Sequence, residues 1–426
     1  MNEEFLSEAM PAARDILAAG PICDACLGSA FGRLGHGWSN EERGRALRVA
    51  LATAGEHGNA GRCWVCQDVF SEAVAWAERA HQRVEGVEFS TYLFAVKPTL
   101  RWQEAEAFFV ERFRLAHAEP QKHAWNRTVG KAFETLVGHG TVDFNDPDVK
   151  LTVDLGAGVV ELAIASVFLY GRYRKVLRGI PQTHWPCRRC RGRGCAVCGG
   201  TGKQYPESVE ELLAAPFVRA AQASAAILHG AGREDIDARM LGSGRPFVLE
   251  LCEPRTRTID IEALGREAND EARGKVEVGA LRWASRGMVS HVKETAAEKT
   301  YRAIVEFGDV VSPDALSAAL QSLVGDIAQR TPRRVAHRRA DLVRTRRLHS
   351  ASGAMRGERE AEIEFHTDGG LYVKELVSGD EGRTEPCLAG RLGLEARVSE
   401  LDVLGIVSGE FPDAHARAMD SRSRVP

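Results

Sequence analysis

The sequence predicts an α+β protein of more than one domain. Three observations carry this. The 426 residues exceed what a single core of ordinary size organises. Helical and strand patterns follow one another irregularly rather than in a βαβ rhythm. Eight of the ten cysteines fall into four C-x-x-C pairs, which punctuate the chain in two places. Apolar content is ordinary and the formal net charge is -3, so the composition is that of a globular chain. The longest apolar run, over 159–169, is interrupted by Glu161 and is too short to span a bilayer. The chain opens Met-Asn-Glu-Glu with no basic and then apolar stretch, so no secretory signal is expected and a cytoplasmic protein is.

Taken in order, residues 1–70 form a module around two cysteine pairs. A helix is expected over 41–54, because Ser39 and Glu42 make an S-x-x-E capping box. Helices over 71–83 and 103–117 flank a strand over 89–96, stopped before Pro98. Strands over 151–154 and 159–170 complete a small α+β unit over 71–170. The rest, 171–426, reads as a mixed α/β domain with an antiparallel sheet. Ser208 and Glu211 start a helix expected to run to about Leu228, with a kink at Pro216. A polar loop over 229–244 precedes a strand over 247–251. A helix is expected over 314–329, then a hairpin of 362–367 and 371–377 around Asp368-Gly369-Gly370, and a last strand over 403–407.

Zinc takes four thiolates in a tetrahedron, and each C-x-x-C supplies two from one tight turn. Cys23, Cys26, Cys63 and Cys66 make one such set; Cys187, Cys190, Cys195 and Cys198 make another, as an insert at 187–198. Two structural zinc sites are expected, since a shell of four cysteines leaves no position for substrate; an iron-sulfur cluster remains the alternative ligand for the second. Two arginine-rich runs, around the second cysteine set and over 330–347, suit a phosphate backbone; Arg338 and Arg339 belong to the latter. These features alone describe a zinc-containing RNA-binding protein without a reaction.

Gly232-Arg233-Glu234-Asp235 resembles the G-R-x-D motif around the catalytic aspartate of the pseudouridine synthases. Its continuation, I-D-A-R-M-L-G-S-G-R-P-F, is similar to the branch of that superfamily found in archaea and eukaryotes. Further stretches match in order: F-L-Y-G-R-Y-R-K, R-G-I-P-Q-T-H-W, K-T-Y-R-A at 299–303, R-T-P-R-R-V-A-H-R-R-A from Arg330, Y-V-K-E-L-V-S-G-D at 372–380, and G-R-T at 382–384. The match spans 168 to about 407. The N-terminal part is similar more loosely to the family's paired-cysteine zinc module and THUMP-type RNA-binding domain. The four-cysteine insert looks like the archaeal version. Over a short stretch it is also similar to the cysteine-rich repeats of J-domain co-chaperones, but no J-domain sequence accompanies it.

The resemblance implies a tRNA pseudouridine synthase acting on the TΨC arm, at tRNA position 54, 55 or both, with tRNA as partner and no organic cofactor. Uridine isomerises when its N1–C1′ bond breaks, the base turns over and C5 bonds to C1′; no redox change occurs. The resemblance puts Asp235 in the role of nucleophile or sugar-proton base. It puts Lys374 in an ion pair with Asp235, Tyr301 in a stack on the target uracil, and Leu376 on the base pocket. Arg233, Tyr372, Arg338 and Arg339 are the further substrate contacts expected. The rival reading is a non-catalytic zinc-containing tRNA-binding protein or RNA chaperone, against which Asp235, Tyr301 and Lys374 all stand intact.

Overall fold

The computed structural model describes residues 3–34, 37–294 and 297–407. Its chain divides into two units, Met1–Ala165 and Ser166–Pro426.

The first unit runs α1 (Glu3–Ala19), α2 (Asp24–Ser29), α3 (Asn40–Thr53), α4 (Ala73–Val84), β1 (Thr91–Lys97), α5 (Leu100–Arg112), α6 (Gln121–Val137), β2 (Thr141–Val142), β3 (Val149–Asp154) and β4 (Val159–Ile164). The expected capping box is formed: the Glu42 N–H donates to Ser39 Oγ at 3.2 Å and the Ser39 N–H donates to the Glu42 carboxylate at 2.7 Å. The sheet order is β2-β1-β3-β4, with β1 parallel to both neighbours and β4 antiparallel to β3. Tyr92, Phe94 and Val96 alternate inward from β1, as a strand with one buried face requires. Phe133 of α6 meets them, its ring 5.1 Å from that of Tyr92 and 5.0 Å from that of Phe94. The helices α1 and α6 had no expected counterpart.

This core continues into the cysteine pairs, since Cys26, Cys63 and Cys66 are buried in it. Gln121 ties the two regions: it accepts from Trp102 Nε1 at 2.6 Å and donates from Nε2 to Cys26 Sγ at 3.4 Å. The helices α2 and α3 cross at Gly28 and Gly44. A methyl group on Gly28 would lie on the Asn40 carbonyl, and one on Gly44 on the Asp24 carbonyl.

The second unit runs β5 (Val167–Lys175), α7 (Val209–Ala221), β6 (Ala225–Gly230), β7 (Arg239–Cys252), α8 (Ile261–Ala272), β8 (Val276–Ala284), α9 (Gly287–Glu294), β9 (Glu298–Phe307), α10 (Pro313–Leu323), β10 (Gly325–Arg330), β11 (Val343–Met355), β12 (Glu360–Thr367), α11 (Val373–Ser378), β13 (Thr384–Glu385), α12 (Leu388–Leu392) and β14 (Ala396–Val407). Ten strands form one sheet of order β13-β10-β11-β12-β9-β14-β7-β5-β8, with β6 paired to β7. Every pairing is antiparallel except β14 with β7, joined in parallel at Asp402/Arg239 and Val403/Met240. The architecture is therefore mixed α+β with a largely antiparallel sheet, as expected.

Five expected elements are corrected, the first being the loop over 229–244, which narrows to 231–238 because β6 reaches Gly230 and β7 starts at Arg239. The strand over 159–170 is two strands, broken where the units divide. The helix expected to Leu228 stops at Ala221; Gln222 caps it in a left-handed conformation, φ +48°, and the small residues that follow pair with β7 as β6. The helix over 314–329 stops at Leu323, because Gly325 at φ +135° leaves helical space and its successors pair with β11. The second hairpin arm, 371–377, is helix α11. Val373, Leu376 and Val377 sit at i, i+3 and i+4, a helical spacing that a window of seven residues does not separate from a strand.

The close crossing of α2 and α3 makes a prediction. Gly44→Ala should force the helices apart and cost on the order of 1–3 kcal/mol or more in stability. Thermal unfolding of this variant beside Ala46→Gly checks it; an unchanged melting temperature for Gly44→Ala would contradict the crossing.

Candidate active site

The loop over 231–238, between β6 and β7, carries Asp235, and its shape is set from beneath. Glu234 points inward with its side chain fully buried. Its carboxylate meets Arg245 Nε at 2.9 Å and accepts from the Tyr173 hydroxyl at 2.9 Å. Arg245, on β7, also donates to the Ala231 carbonyl at 2.6 Å. Gln182 Nε2 donates to the Tyr173 hydroxyl at 2.8 Å and to the Gly232 carbonyl at 3.1 Å. Lys175, at the end of β5, donates to the carbonyls of Ile180, Asp235 and Ile236 at 2.9, 3.2 and 3.1 Å. The loop backbone is thus tied at four of its residues, and removing one partner of a buried pair such as Glu234–Arg245 costs about 3–5 kcal/mol. Gly232 takes φ +76°, a conformation that favours glycine, and a Cβ there would press on Lys299 Nζ and Arg245 Nη1.

This burial shifts the ionisation of the supporting groups. It pulls Lys175 down to about 8 against the attraction of Glu234. Lys299 is likewise brought down to about 8 by burial, with Arg245 adding to the shift. Burial and the Glu234 charge hold the Tyr173 hydroxyl far above its usual range.

Asp235 faces outward, with a third of its side chain exposed. Arg334 Nη1 lies 3.0 Å from each of its oxygens. Lys374 Nζ is 3.5 Å from Asp235 but 2.7 Å from Asp237, so the lysine is shared and its shorter contact is to Asp237. Burial works to raise the Asp237 pKa, but the Lys374 hydrogen bond and charge outweigh it, and the net shift is downward. Arg334 is anchored in turn: its Nε meets the buried Glu375 at 2.6 Å, and its guanidinium lies 5.7 Å from the centre of the Tyr372 ring. Lys374, Glu375 and Leu376 all ride on α11, not on the expected strand.

Tyr301, on β9, faces the buried side of the sheet and is 9 % exposed. Burial pushes its hydroxyl up to about 12, with Arg245 opposing and Asp235 adding to the shift. Leu376 is fully buried in the core that also holds Tyr301. Arg233 stacks on Trp185 at 4.8 Å. Arg339 is exposed, and the side chain of Arg338 lies outside the described residues. Several arginines of the two runs face acids of the protein itself: Arg330 pairs with Asp341 at 2.7 Å and Arg178 with Asp402 at 2.7 Å.

The expected residues Asp235, Lys374 and Tyr372 therefore gather around Arg334, and Tyr301 lies in the core within reach of the Asp235 charge. Sequence reasoning gives Glu375, Glu234, Arg245 and Tyr173 no role and counts Arg334 and Lys175 only within the basic runs. All lie inside quoted stretches, but a motif says which residues recur and not which of them are buried as partners.

The two cysteine sets are each assembled. Within each, the four Sγ atoms lie within 4.8 Å of one another. Cys23 and Cys66 are 3.6 Å apart; Cys187–Cys195, Cys190–Cys198 and Cys195–Cys198 are 4.0, 3.9 and 3.7 Å apart. Four thiolates at the zinc–sulfur bond length would be separated by about 3.8 Å, so both sets fit a tetrahedral metal ion. Among the described residues no helix is long and apolar enough to cross a membrane.

Residues 168–407 match the family model described as Pus10, C-terminal, and residues 76–154 match Pus10 THUMP domain, archaeal. A protein of Halorubrum lacusprofundi named tRNA pseudouridine synthase Pus10 is 46% identical over 406 residues, covering 92% of this chain and 95% of that one. Proteins of the same name from Methanothrix thermoacetophila and Archaeoglobus fulgidus are 44% and 43% identical. The first match covers 96% of each chain; the second covers 84% of this chain and 99% of that one. A solved Cbf5-Nop10-Gar1 complex is similar at a TM-score of 0.33 and 15% identity over 56% of this chain and 48% of that one, too loosely to align the sites. With a family model covering more than half its length and relatives matched nearly end to end, the chain belongs to the Pus10 family of tRNA pseudouridine synthases.

Proposed function

We propose that the chain converts uridine to pseudouridine in the TΨC arm of tRNA, at position 54, 55 or both, with Asp235 as the catalytic carboxylate. The observation that carries this is the setting of Asp235: an outward carboxylate on a braced loop, met by Arg334 and Lys374. A uridine in a folded arm must leave its stack before its glycosidic bond can be reached. Asp235 then acts on the sugar, as nucleophile at C1′ or as the base that takes a sugar proton. Arg334 fixes the carboxylate's direction, and Lys374 links Asp235 to Asp237 across the mouth of the site. Tyr301 stacks on the uracil as it turns over. Leu376 and Tyr372 shape the base pocket, while Arg233, Arg338 and Arg339 take backbone phosphates.

Residues 1–70 and 71–170 serve, on this proposal, as a zinc module and a THUMP-like domain that bind tRNA by shape and backbone. Residues 171–426 are the catalytic domain. Each cysteine set holds a structural zinc, and the Gln121 hydrogen bond to Cys26 explains why metal in the first set would support the RNA-binding core. Such an enzyme works beside its tRNA in the cytoplasm.

Asp235→Asn should abolish pseudouridine formation while tRNA affinity stays within a few-fold. Arg334→Gln should lower kcat strongly, and Asp237→Asn much less, because Asp237 holds Lys374 rather than the reacting sugar. Mapping pseudouridine in a T-arm transcript reads all three; an active Asp235→Asn enzyme would overturn the assignment, and an inactive Asp237→Asn beside it would move the role to Asp237. Tyr301→Ala should lose about 1–3 kcal/mol of base stacking, seen as slower single-turnover formation, while Tyr301→Phe should retain that stacking. Wild-type rates with Ala at 301 would take the ring out of the site. Metal analysis should find two zinc ions per chain, and Cys63→Ser should remove one and lower the melting temperature of the N-terminal unit. Native protein without zinc would contradict both assignments.

A further inference from the structure

On the sheet face opposite Tyr301 lies a second group of ligating side chains. Glu298 and Tyr301 are three residues apart on β9, and successive side chains of a strand alternate in direction. Glu298 therefore shares its face with Thr300, and His366 of β12, in register with Thr300, joins them there. His366 Nε2 lies 3.0 Å from Glu298 Oε2. His349 comes from β11, at the point where the β11–β12 register slips between Leu348 and Ser350. An extra residue of this kind is a bulge, and a bulge re-aims a side chain. Here it sets His349 Nε2 2.8 Å from Asp368 Oδ1 and 3.7 Å from Glu298 Oε1. The other oxygen of Asp368 accepts the Arg347 N–H at 2.9 Å, which holds the carboxylate in place.

We propose that Glu298, His349 and Asp368 form a binding site for a divalent metal ion of the zinc type, with His366 as the outer partner of Glu298. One donor atom each from Glu298, His349 and Asp368 lies within 4.8 Å of the others. Nitrogen and oxygen ligands around such an ion would be about 3.3 Å apart, and the His349 separations of 2.8 Å from Asp368 and 3.7 Å from Glu298 bracket that value. Imidazole with carboxylate suits zinc, cobalt and nickel rather than magnesium or calcium. His366 stands outside this ligand set, beside the other oxygen of Glu298. Its Nε2 is buried yet finds no hydrogen-bond partner in good geometry, despite its closeness to Glu298. A metal ion held by His349 with Glu298 and Asp368 would neutralise two carboxylates. The Arg346 charge, which acts on Asp368, opposes a cation, so this site binds more weakly than the cysteine sets.

The site ties together the start of β9, the bulge of β11 and the turn at Asp368 that leads into α11. A metal ion there would brace the helix that carries Lys374 from the far side of the sheet. This inference stands apart from the catalytic assignment, since it concerns residues of the opposite face.

The test uses the full chain with its cysteine sets already loaded with zinc, titrated with cobalt(II). Thiolate ligation gives intense near-ultraviolet charge-transfer bands, whereas nitrogen and oxygen ligands give only weak visible bands. The proposal expects one further cobalt per chain without thiolate bands, and a rise in melting temperature as it binds. In His349→Gln/His366→Gln both should vanish, and His366→Gln alone should weaken binding by on the order of tenfold or more. Should the double variant fail to fold, the single variant decides, because His366 is a third exposed and lies outside the ligand set. No further equivalent, or an equivalent that His366→Gln leaves unchanged, overturns the site.

Discussion

The second unit turns on one buried ion pair. Glu234 and Arg245 face each other at 2.9 Å with essentially no access to solvent, and neither would be tolerated there alone. Around them Tyr173, Gln182 and Lys175 complete the set of ties that holds the 231–238 loop. Arg245 holds the start of the loop through the Ala231 carbonyl, and Tyr173 and Gln182 close the network around Glu234. Lys175 takes the carbonyls on the far side of Asp235. An apolar core of the same volume would be as stable, but it would not specify where the next residue along the chain points. The network spends burial of charge on direction: with Glu234 turned inward, Asp235 is turned out.

Outside the loop the same logic is repeated at lower burial. Three carboxylates, Asp235, Asp237 and Glu375, are met by two cations, Arg334 and Lys374. The most buried of the three, Glu375, anchors Arg334, and the most exposed, Asp237, holds Lys374 at the rim. Both cations therefore reach Asp235 already fixed at their other end. A guanidinium so tethered presents a planar face to one carboxylate, whereas an ammonium shared between two can follow either. On the proposed function, that difference suits Arg334 to orienting Asp235 and Lys374 to sharing its charge between Asp235 and Asp237.

Much of this was legible before any coordinates. The capping box at Ser39 and Glu42, the four cysteine pairs and the mixed α+β class are local signals, and local signals survive folding. Elements that depend on a distant partner were misread. The residues of β6 and β10 continue helices in sequence and become strands only because β7 and β11 offer free edges. Helix α11 is too short for its period to be told from a strand. At the site, the G-R-x-D resemblance pointed to Asp235 and the Y-V-K-E-L stretch to Lys374. The cation that lies nearer Asp235 is Arg334, which was counted among phosphate-binding arginines, since a run of arginines does not reveal which of them has an acid beneath it. The histidine pair on the opposite face was invisible for a related reason: His349 and His366 converge through a bulge, and a one-residue register slip leaves no mark in composition.

The chain thus combines a cysteine-stapled N-terminal unit with a sheet that holds one carboxylate outward on a rigid loop, and the account stands on that carboxylate having a uridine to act upon. The most direct measurement is nucleotide-resolution pseudouridine mapping of an unmodified tRNA transcript after incubation with purified wild-type protein. The account predicts multiple-turnover conversion of a T-arm uridine, at position 54, 55 or both, without added cofactor. A protein that binds the transcript tightly and leaves every T-arm uridine unchanged would contradict it.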